Sequence, residues 1–402
     1  MTARGSAAER KARAADVVRF VLAGPVRFAT PADLRRFRPT AAPAFTTAVV
    51  ALVALSVGAP QALRSDPIKV DYHLRATPEN TVILFSADNA PVLRIKSGDT
   101  VEIDTVCLFG MTNDKPEQFF ADNGIPLGDP VSQEMLAIKK MVQAAPVPGT
   151  SMTGPIYVEG AQPGDTLEVR VLDIKSRTNY GVNSNAPGRG GIPDLVPRPY
   201  AKVVRLDLRR NVALFSDTIE VPLRQFMGRM AVSPVKARGK LSSSPPYPDI
   251  GGNMDNKYLG KGATIYFPVQ VEGALFQTGD PHAVQGNGEV GQSALESADT
   301  VTMQFFVRKD MPIKRVEAET ATHYILMGMD KDLNVASHEA IAHTVEFLQQ
   351  RKGLTFFDAL SLCSLAVDFE VTEVVDGTKG IHSMVAKSLF KGPAPAYWYG
   401  GN

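Results

Sequence analysis

Two segments of alternating character, Val92-Leu93-Arg94-Ile95-Lys96 and Thr100-Val101-Glu102-Ile103-Asp104, flank the short run Ser97-Gly98-Asp99. Period-two alternation turns successive side chains to opposite faces and marks a half-buried strand. Glycine accepts positive φ and an aspartate side chain can bond nearby backbone N–H groups, so the run predicts a tight reversal and the whole a hairpin. The pattern returns at Pro163-Gly164-Asp165-Thr166-Leu167-Glu168-Val169-Arg170-Val171, and more faintly at Ser216-Asp217-Thr218-Ile219-Glu220-Val221. It reads as a favoured turn, with an old duplication as the other explanation. A chain punctuated this way is expected to build a mostly β, hairpin-rich body of the sandwich or barrel-like kind.

Near the end the period changes. Leu333, Ala336, Ala340, Ile341, Val345 and Leu348 form a helical stripe before Gly353, and Thr355 is placed to cap a second helix through about Ala366. The β-prone run Phe369 to Val375 follows, giving the C-terminal part an α+β character. With 402 residues the chain exceeds one typical domain of about 100–200. The expected layout is a leader over 1–65, a β-rich lobe over 66–230, a second lobe over 231–390 with the Gly-rich site loops and terminal helices, and a tail over 391–402.

The leader differs from the rest in charge. Arg4, Arg10, Lys11, Arg13, Arg19, Arg27, Arg35, Arg36 and Arg38 face only Glu9, Asp16 and Asp33, and Ala41 to Ala59 carries no charge. The dense apolar part Phe45 to Leu55 has signal-peptide length, Val57-Gly58-Ala59 offers small residues for cleavage, and Arg35-Arg36 upstream suggests the twin-arginine route. Export to the periplasm or beyond is the expectation. An uncleaved anchor, which would be the chain's one tie to a membrane, and a spurious leader on a cytoplasmic protein are the alternatives. The overall balance of 43 basic and 42 acidic residues excludes a polycation built for nucleic acid. Cys107 and Cys363 are too few for a disulfide framework and are expected to be buried thiols.

Chemistry concentrates in Gly279-Asp280-Pro281-His282-Ala283-Val284-Gln285-Gly286-Asn287-Gly288-Glu289-Val290, after an apolar strand expected over Ile265 to Phe276. Its glycines let backbone approach closely while imidazole and carboxylates are brought together, a donor set suited to a divalent ion. Gly251-Gly252-Asn253-Met254-Asp255 adds a carboxylate in another glycine-rich turn. A lone histidine in such a loop is more often solvated, and the Asp255 turn taken alone is a turn. His338 and His343 are off the helical i, i+4 spacing of a zinc pair and are expected at a surface or interface. His73, His323 and His382 show no partner in sequence. Two long irregular stretches, Arg177 to Pro199 and Lys236 to Tyr258, are expected to line or cover a pocket. No Gly-x-Ser-x-Gly elbow, Gly-Lys-Ser/Thr phosphate loop or dinucleotide fingerprint is present.

Thr153-Gly154-Pro155-Ile156-Tyr157-Val158-Glu159-Gly160-Ala161-Gln162-Pro163-Gly164-Asp165 resembles the hallmark segment of the acetamidase/formamidase family. The Gly251 to Asp255 and Gly279 to Val290 segments look like its other two blocks, in the expected order. The closing Asp376-Gly377-x-Lys379-Gly380-x-His382 is similar too, so that the resemblance runs from about Asp66 to Phe390. It implies a β-rich fold, a homo-oligomer, and hydrolysis of a short aliphatic amide to carboxylate and ammonia at a divalent metal, zinc before calcium. Carried over by residue, it places Asp255, Asp280 and His282 nearest the metal, Glu289 or Glu159 as proton shuttle, and Gln285 as a hydrogen-bonding group for substrate. Asn287 stands where the family commonly has aspartate, which would remove a carboxylate beside Glu289 and weaken a second metal or alter the acid–base pair. The other readings are a hydrolase of a larger or cyclic amide, and a small-molecule-binding protein that kept the fold and lost catalysis.

Overall fold

The repeated Gly-Asp-Thr turns are corners between two sheets, and this corrects the hairpin expected at Val92 to Asp104. In the computed structural model, which describes residues 68–109, 115–145, 149–392 and 397–399, the strand Leu93–Ile95 lies in one sheet and Thr100–Val106 in the other. The second copy repeats the manoeuvre: Met152–Val158 lies in the first of these sheets and Thr166–Ser176 in the second. Both corners close alike, with Lys96 N donating to Asp99 Oδ2 at 2.7 Å and Gln162 N to Asp165 Oδ2 at 2.9 Å, and with Gly98 and Gly164 at φ 102° and 96°. The strands entering them run side by side in parallel, Leu93 opposite Ile156 and Ile95 opposite Val158. Only the third copy is a hairpin, Val212–Ser216 against Ile219–Pro222.

Among the described residues one main sheet has nine strands and the other twelve, and Leu84–Phe85 pairs with Leu241–Ser242 in a small third sheet. The long antiparallel pair Thr166–Ser176 and Ala298–Arg308 anchors the nine-stranded sheet. In the twelve-stranded sheet, Phe276–Val284 is flanked by Phe226–Ala231 on one side and by Met152–Val158 and Leu295–Glu296 on the other. The main core includes Ile103, Ile156, Val169, Met230, Phe267 and Phe305, with Phe276 in edge contact with Phe267 and Phe305 at centroid distances of 5.8 and 5.2 Å. Burial of such side chains, at about 25 cal/mol per Å² of apolar surface, is what holds the layers together.

The expected lobe boundary at 230/231 is also corrected. It falls inside the strand Phe226–Ala231, and Thr166–Ser176 pairs with Thr264–Pro268 from beyond it. Residues Asp66–Asn402 form one compact unit. The leader over 1–65, with its apolar stretch at 41–59, lies outside the described residues, as does most of the 391–402 tail.

Among the described residues four α-helices decorate the sheets. Helices α1 (Pro116–Asp122) and α2 (Pro130–Ala144) each open on a proline, and Asp129 caps α2 by accepting from Ser132 N at 3.1 Å. Helix α3 (Leu333–Lys352) follows the apolar stripe and stops at Gly353, whose φ of 68° is the left-handed cap. Helix α4 (Phe356–Ala366) is capped by Thr355, which accepts from Asp358 N at 3.2 Å, and the strand Val367–Glu373 follows. Among the described residues no helix is long and apolar enough to cross a membrane.

Candidate functional site

The segment from Gly279 to Val284 is strand and not loop, and the apolar run expected at Ile265 to Phe276 divides into the ends of two strands. In a strand, residues two apart share a face, so Asp280 and His282 are aligned by the pleat. Cross-strand pairing then supplies neighbours that sequence order hides: Phe226 and Glu296 stand opposite His282 in the two flanking strands. His282 Nε2 lies 3.2 Å from both Asp280 Oδ2 and Glu296 Oε2, while the Phe226 ring meets the imidazole edge-on at 5.0 Å.

The tautomer of His282 follows from Gln285. Its Nε2 donates to the Asp255 carbonyl at 2.7 Å, which turns its Oε1 to His282 Nδ1 at 3.0 Å. That oxygen accepts, so Nδ1 carries a proton and Nε2 faces two carboxylates. Such a contact is repulsive unless a proton or a cation lies between. Nε2 is buried and has no hydrogen-bond partner despite the two short approaches. Asp255 approaches from the other side, its Oδ1 3.9 Å from Nδ1.

Six carboxylates meet here: Asp255, Asp280, Glu289, Glu296, Glu373 and Asp376, grouped in overlapping sets whose candidate ligand atoms lie within 4.8 Å of one another. Among the described residues Arg229 pairs with one of them and His282 lies against others. Arg229 Nη1 pairs with Asp280 Oδ1 at 3.0 Å, and its Nε donates to the Ser243 carbonyl at 3.0 Å. Cys107 Sγ lies 3.2 Å from Asp280 Oδ1 and 2.8 Å from Glu296 Oε2. Asn253 donates to Asp255 and, at 2.6 Å, to Asp376. Among the described residues Asp255 Oδ1, Glu289 Oε2 and both Glu373 oxygens are buried without a partner. An uncompensated buried charge costs several kcal/mol, so an excess of about four negative charges must bind protons or a cation.

The titration of the groups follows. Burial, and next the neighbouring Asp280, pushes Asp255 well above the usual carboxylate range. Glu289 rises through burial and Asp255, and Glu373 through burial with Asp255 and Asp376. Asp376 is pushed up to about 6, burial and Asp280 outweighing Arg229. Burial works on Asp280 too, but Arg229 and His282 hold it well below the usual range. On His282 burial opposes the charge, and Glu296 and Asp280 prevail to raise it strongly. Burial, then Glu296 and Asp280, pushes the Cys107 thiol well up.

Backbone geometry marks the same residues. Asp255, Asp280, Glu289 and Asp376 all take positive φ, 42°, 59°, 42° and 58°. For residues with a Cβ that conformation costs on the order of 1–3 kcal/mol each and survives only where surrounding structure enforces it. Gly228 makes the room. A Cβ there would stand 2.4 Å from Asp255 Oδ1, 2.6 Å from Asp280 Oδ2 and 3.0 Å from His282 Cε1.

A polar cavity of about 230 Å³ opens on the cluster, lined by Asp280, Glu289, Glu296 and Asp376 with Phe109, Thr150, Arg189, Arg229, Ser244 and Gln292. Arg189 and Ser244 come from the two stretches expected to line a pocket. A larger cavity, about 780 Å³, is lined by Arg224, Lys257, Tyr258 and Glu370 among others, but by none of the six acids. Volume therefore does not locate the chemistry; the unpartnered acids do.

Asp255, Asp280, His282, Gln285 and Glu289 are thus brought together. Glu159 is not: it is exposed beyond the end of Met152–Val158, its amide tied to Ile95 O at 2.8 Å, and this corrects its expected role as a proton shuttle. Asn287 is corrected as well. Its amide donates to Glu370, which also accepts from Tyr258 Oη at 3.0 Å, so residue 287 faces a second network and removes no carboxylate from the cluster. His343 is buried, its Nδ1 3.2 Å from Met327 O, and His338 is exposed. His73 pairs with Asp104 at 3.1 Å, His323 meets Thr322 at 2.9 Å, and His382 Nδ1 meets Thr372 Oγ1 at 2.6 Å. Both cysteines are free and buried. Cys107, Gly228, Arg229, Glu296, Glu373 and Asp376 were not singled out as site residues. No spacing marks them, because each arrives through sheet pairing or the parallel bridge between Gly288 and Glu373.

The sequence model of the acetamidase/formamidase family matches residues 139–243 and 237–390. A formamidase of Methylophilus methylotrophus is 25% identical over 297 residues, 56% of this chain and 73% of that protein. Among solved structures, a predicted acetamidase/formamidase of Thermoanaerobacter tengcongensis superposes with a TM-score of 0.67 at 28% identity, covering 79% of this chain and 96% of that one. An acetamidase of Bacillus halodurans gives 0.65 at 29% identity, with 79% and 98% covered.

Proposed function

The chain belongs to the acetamidase/formamidase family, and we propose that it is a metal-dependent amidase cleaving short aliphatic amides to carboxylate and ammonia at the His282 cluster. The observation that carries the reading is the orphaned set itself: a buried imidazole nitrogen wedged between carboxylates and buried carboxylate oxygens without hydrogen-bond partners, beside a cavity of about 230 Å³. These residues fit a divalent ion. His282, Asp280 and Glu296 would hold it, with Asp255 in reach of Asp280 and His282. Such an ion, when bound, polarises a carbonyl and brings the pKa of water toward neutrality.

The remaining work falls to side chains. The amide carbon resists attack because nitrogen donates into the carbonyl, and the leaving nitrogen needs a proton. Glu289 walls the cavity, and burial, then Asp255, pushes its carboxyl well above the usual carboxylate range, which makes it a stronger base than a solvated carboxylate. It takes the proton of the attacking water at its carboxylate and returns it to the departing nitrogen. Gln285 fixes the imidazole tautomer and so acts on His282; substrate contact is not its main part. Arg229 balances Asp280 and keeps positive charge at the cavity wall, where a developing oxyanion is stabilised. The cavity's size admits an amide of a handful of heavy atoms. Self-association as a homo-oligomer and export by way of the 1–65 leader belong to the same proposal.

Ammonium release from formamide, acetamide and propionamide tests it, with and without a chelator and with zinc added back. Release that stops on chelation and returns with zinc is expected. Release unaffected by complete metal removal would reject the metal, and no release from any of the amides would reject the amidase.

A further inference from the structure

We propose that Cys107 is a metal ligand, its thiolate joining Asp280 and Glu296 in a cradle for a zinc-type cation beside His282. The inference rests on the metal-dependent reading above and adds sulfur to it. Cys107 follows directly on the strand Thr100–Val106, and its amide donates to Ser297 O at 3.0 Å, which pins it beside Glu296. Its sulfur lies 2.8 Å from Glu296 Oε2 and 3.2 Å from Asp280 Oδ1. A neutral thiol has one proton and can satisfy only one of those oxygens. The second approach calls for something else between the groups.

His282 supplies the independent observation. Its ring is 1% exposed, and Nε2 has no hydrogen-bond partner although it points between Asp280 Oδ2 and Glu296 Oε2 at 3.2 Å each. Four donors on a tetrahedron with bonds of about 2.0–2.3 Å stand about 3.3–3.8 Å apart. The spacings of 2.8 to 3.2 Å are shorter than that range, so the donors must move apart to admit a small cation. Sulfur and imidazole beside carboxylates favour zinc over calcium, which takes oxygen ligands. Cys107, Asp280 and Arg229 also wall a cavity of about 130 Å³, which leads to the donors. On binding, the S–H bond breaks, its electron pair forms the sulfur–metal bond, and the proton leaves to solvent.

The chain has two cysteines, so Cys363 serves as the control. The full chain is loaded with Co2+, and its absorption spectrum, cobalt content and ammonium release from acetamide are read together. The expected result is an intense near-ultraviolet thiolate-to-cobalt band in the wild type, retained in full by Cys363→Ser and absent from Cys107→Ser. Cobalt bound without that band, or a band lost in Cys363→Ser or kept in Cys107→Ser, overturns the assignment; continued ammonium release then leaves the amidase reading standing. Failure of the wild type to retain cobalt or zinc overturns the assignment together with metal dependence. If Cys107→Ser does not fold, the wild type and Cys363→Ser still decide.

Discussion

Gly228 and Gly328 are both glycines because something stands where a side chain would go, but what stands there differs. At Gly328, in the strand His323–Asp330, a Cβ would lie 2.2 Å from Ala336 O and 2.3 Å from Ala340 N, the backbone of helix α3. The polar groups buried nearby are paired: Thr344 Oγ1 donates to Ala340 O at 2.7 Å and meets Ser383 Oγ at 2.8 Å. At Gly228 the Cβ would meet two carboxylates and the imidazole, and the polar groups around it include several with no partner. One region spends a glycine on packing and closes its hydrogen bonds; the other keeps donors and acceptors open. Native interiors rarely leave such groups unmatched, so the second pattern marks function.

The largest expected effect is His282→Ala. Turnover should fall about a thousandfold or more while circular dichroism still shows a folded protein. Full activity in this variant would dissolve the contrast, since the open cluster would then have no chemical task. Next come the glycines themselves. Gly228→Ala should lower metal affinity and turnover by roughly 10- to 100-fold, and Gly328→Ala should cost about 1–3 kcal/mol of stability with turnover per folded molecule unchanged. Denaturant melts and metal titration separate the two, and interchangeable outcomes would break the comparison.

A smaller effect is set by pH. Asp376 is ordinarily at 3.8 and is pushed up to about 6 in the metal-free fold. The folded state therefore holds a proton that the unfolded chain has released, and the stability this confers is lost as pH rises from about 4 through about 6. Thermal melts of metal-free protein should decline across that window, and zinc should flatten the decline. A metal-free Tm that climbs over the same range would reverse the sign and refute it. The smallest effect is expected at Asn287→Asp, which sets a second carboxylate against Glu370 and loosens the loop carrying Glu289. Turnover should drop less than about tenfold near neutral pH and recover when Glu370→Gln is added. No recovery in the double variant would mean that the pair does not position the loop.

Much of the scaffold was legible. The stripe from Leu333 to Leu348, the stop at Gly353 and the cap at Thr355 are local signals, and α3 and α4 obey them. The Gly-Asp-Thr turns were legible as turns but not as corners, because alternation says that a strand is half buried and not which sheet buries it. Helices α1 and α2 escaped notice, although Asp129-Pro130 is a recognisable helix start. Of the site, Asp255, Asp280, His282, Gln285 and Glu289 stood out because glycines surround them. Glu159 enters through the resemblance of its segment and is exposed, which shows that a hallmark segment does not by itself put each of its polar residues at the site.

The sequence by itself determined the residue types, the turn positions and the helix limits, since these depend on neighbours a few residues away. It also placed His282 and Asp280 two apart, which makes them share a face on any strand. Only the tertiary structure decided that Glu296 would face His282, that Arg229 would balance Asp280, and that Glu373 and Asp376 would reach the cluster. Those choices depend on register between strands far apart in the chain, and register is fixed by packing of the whole sheet, not by any local pattern.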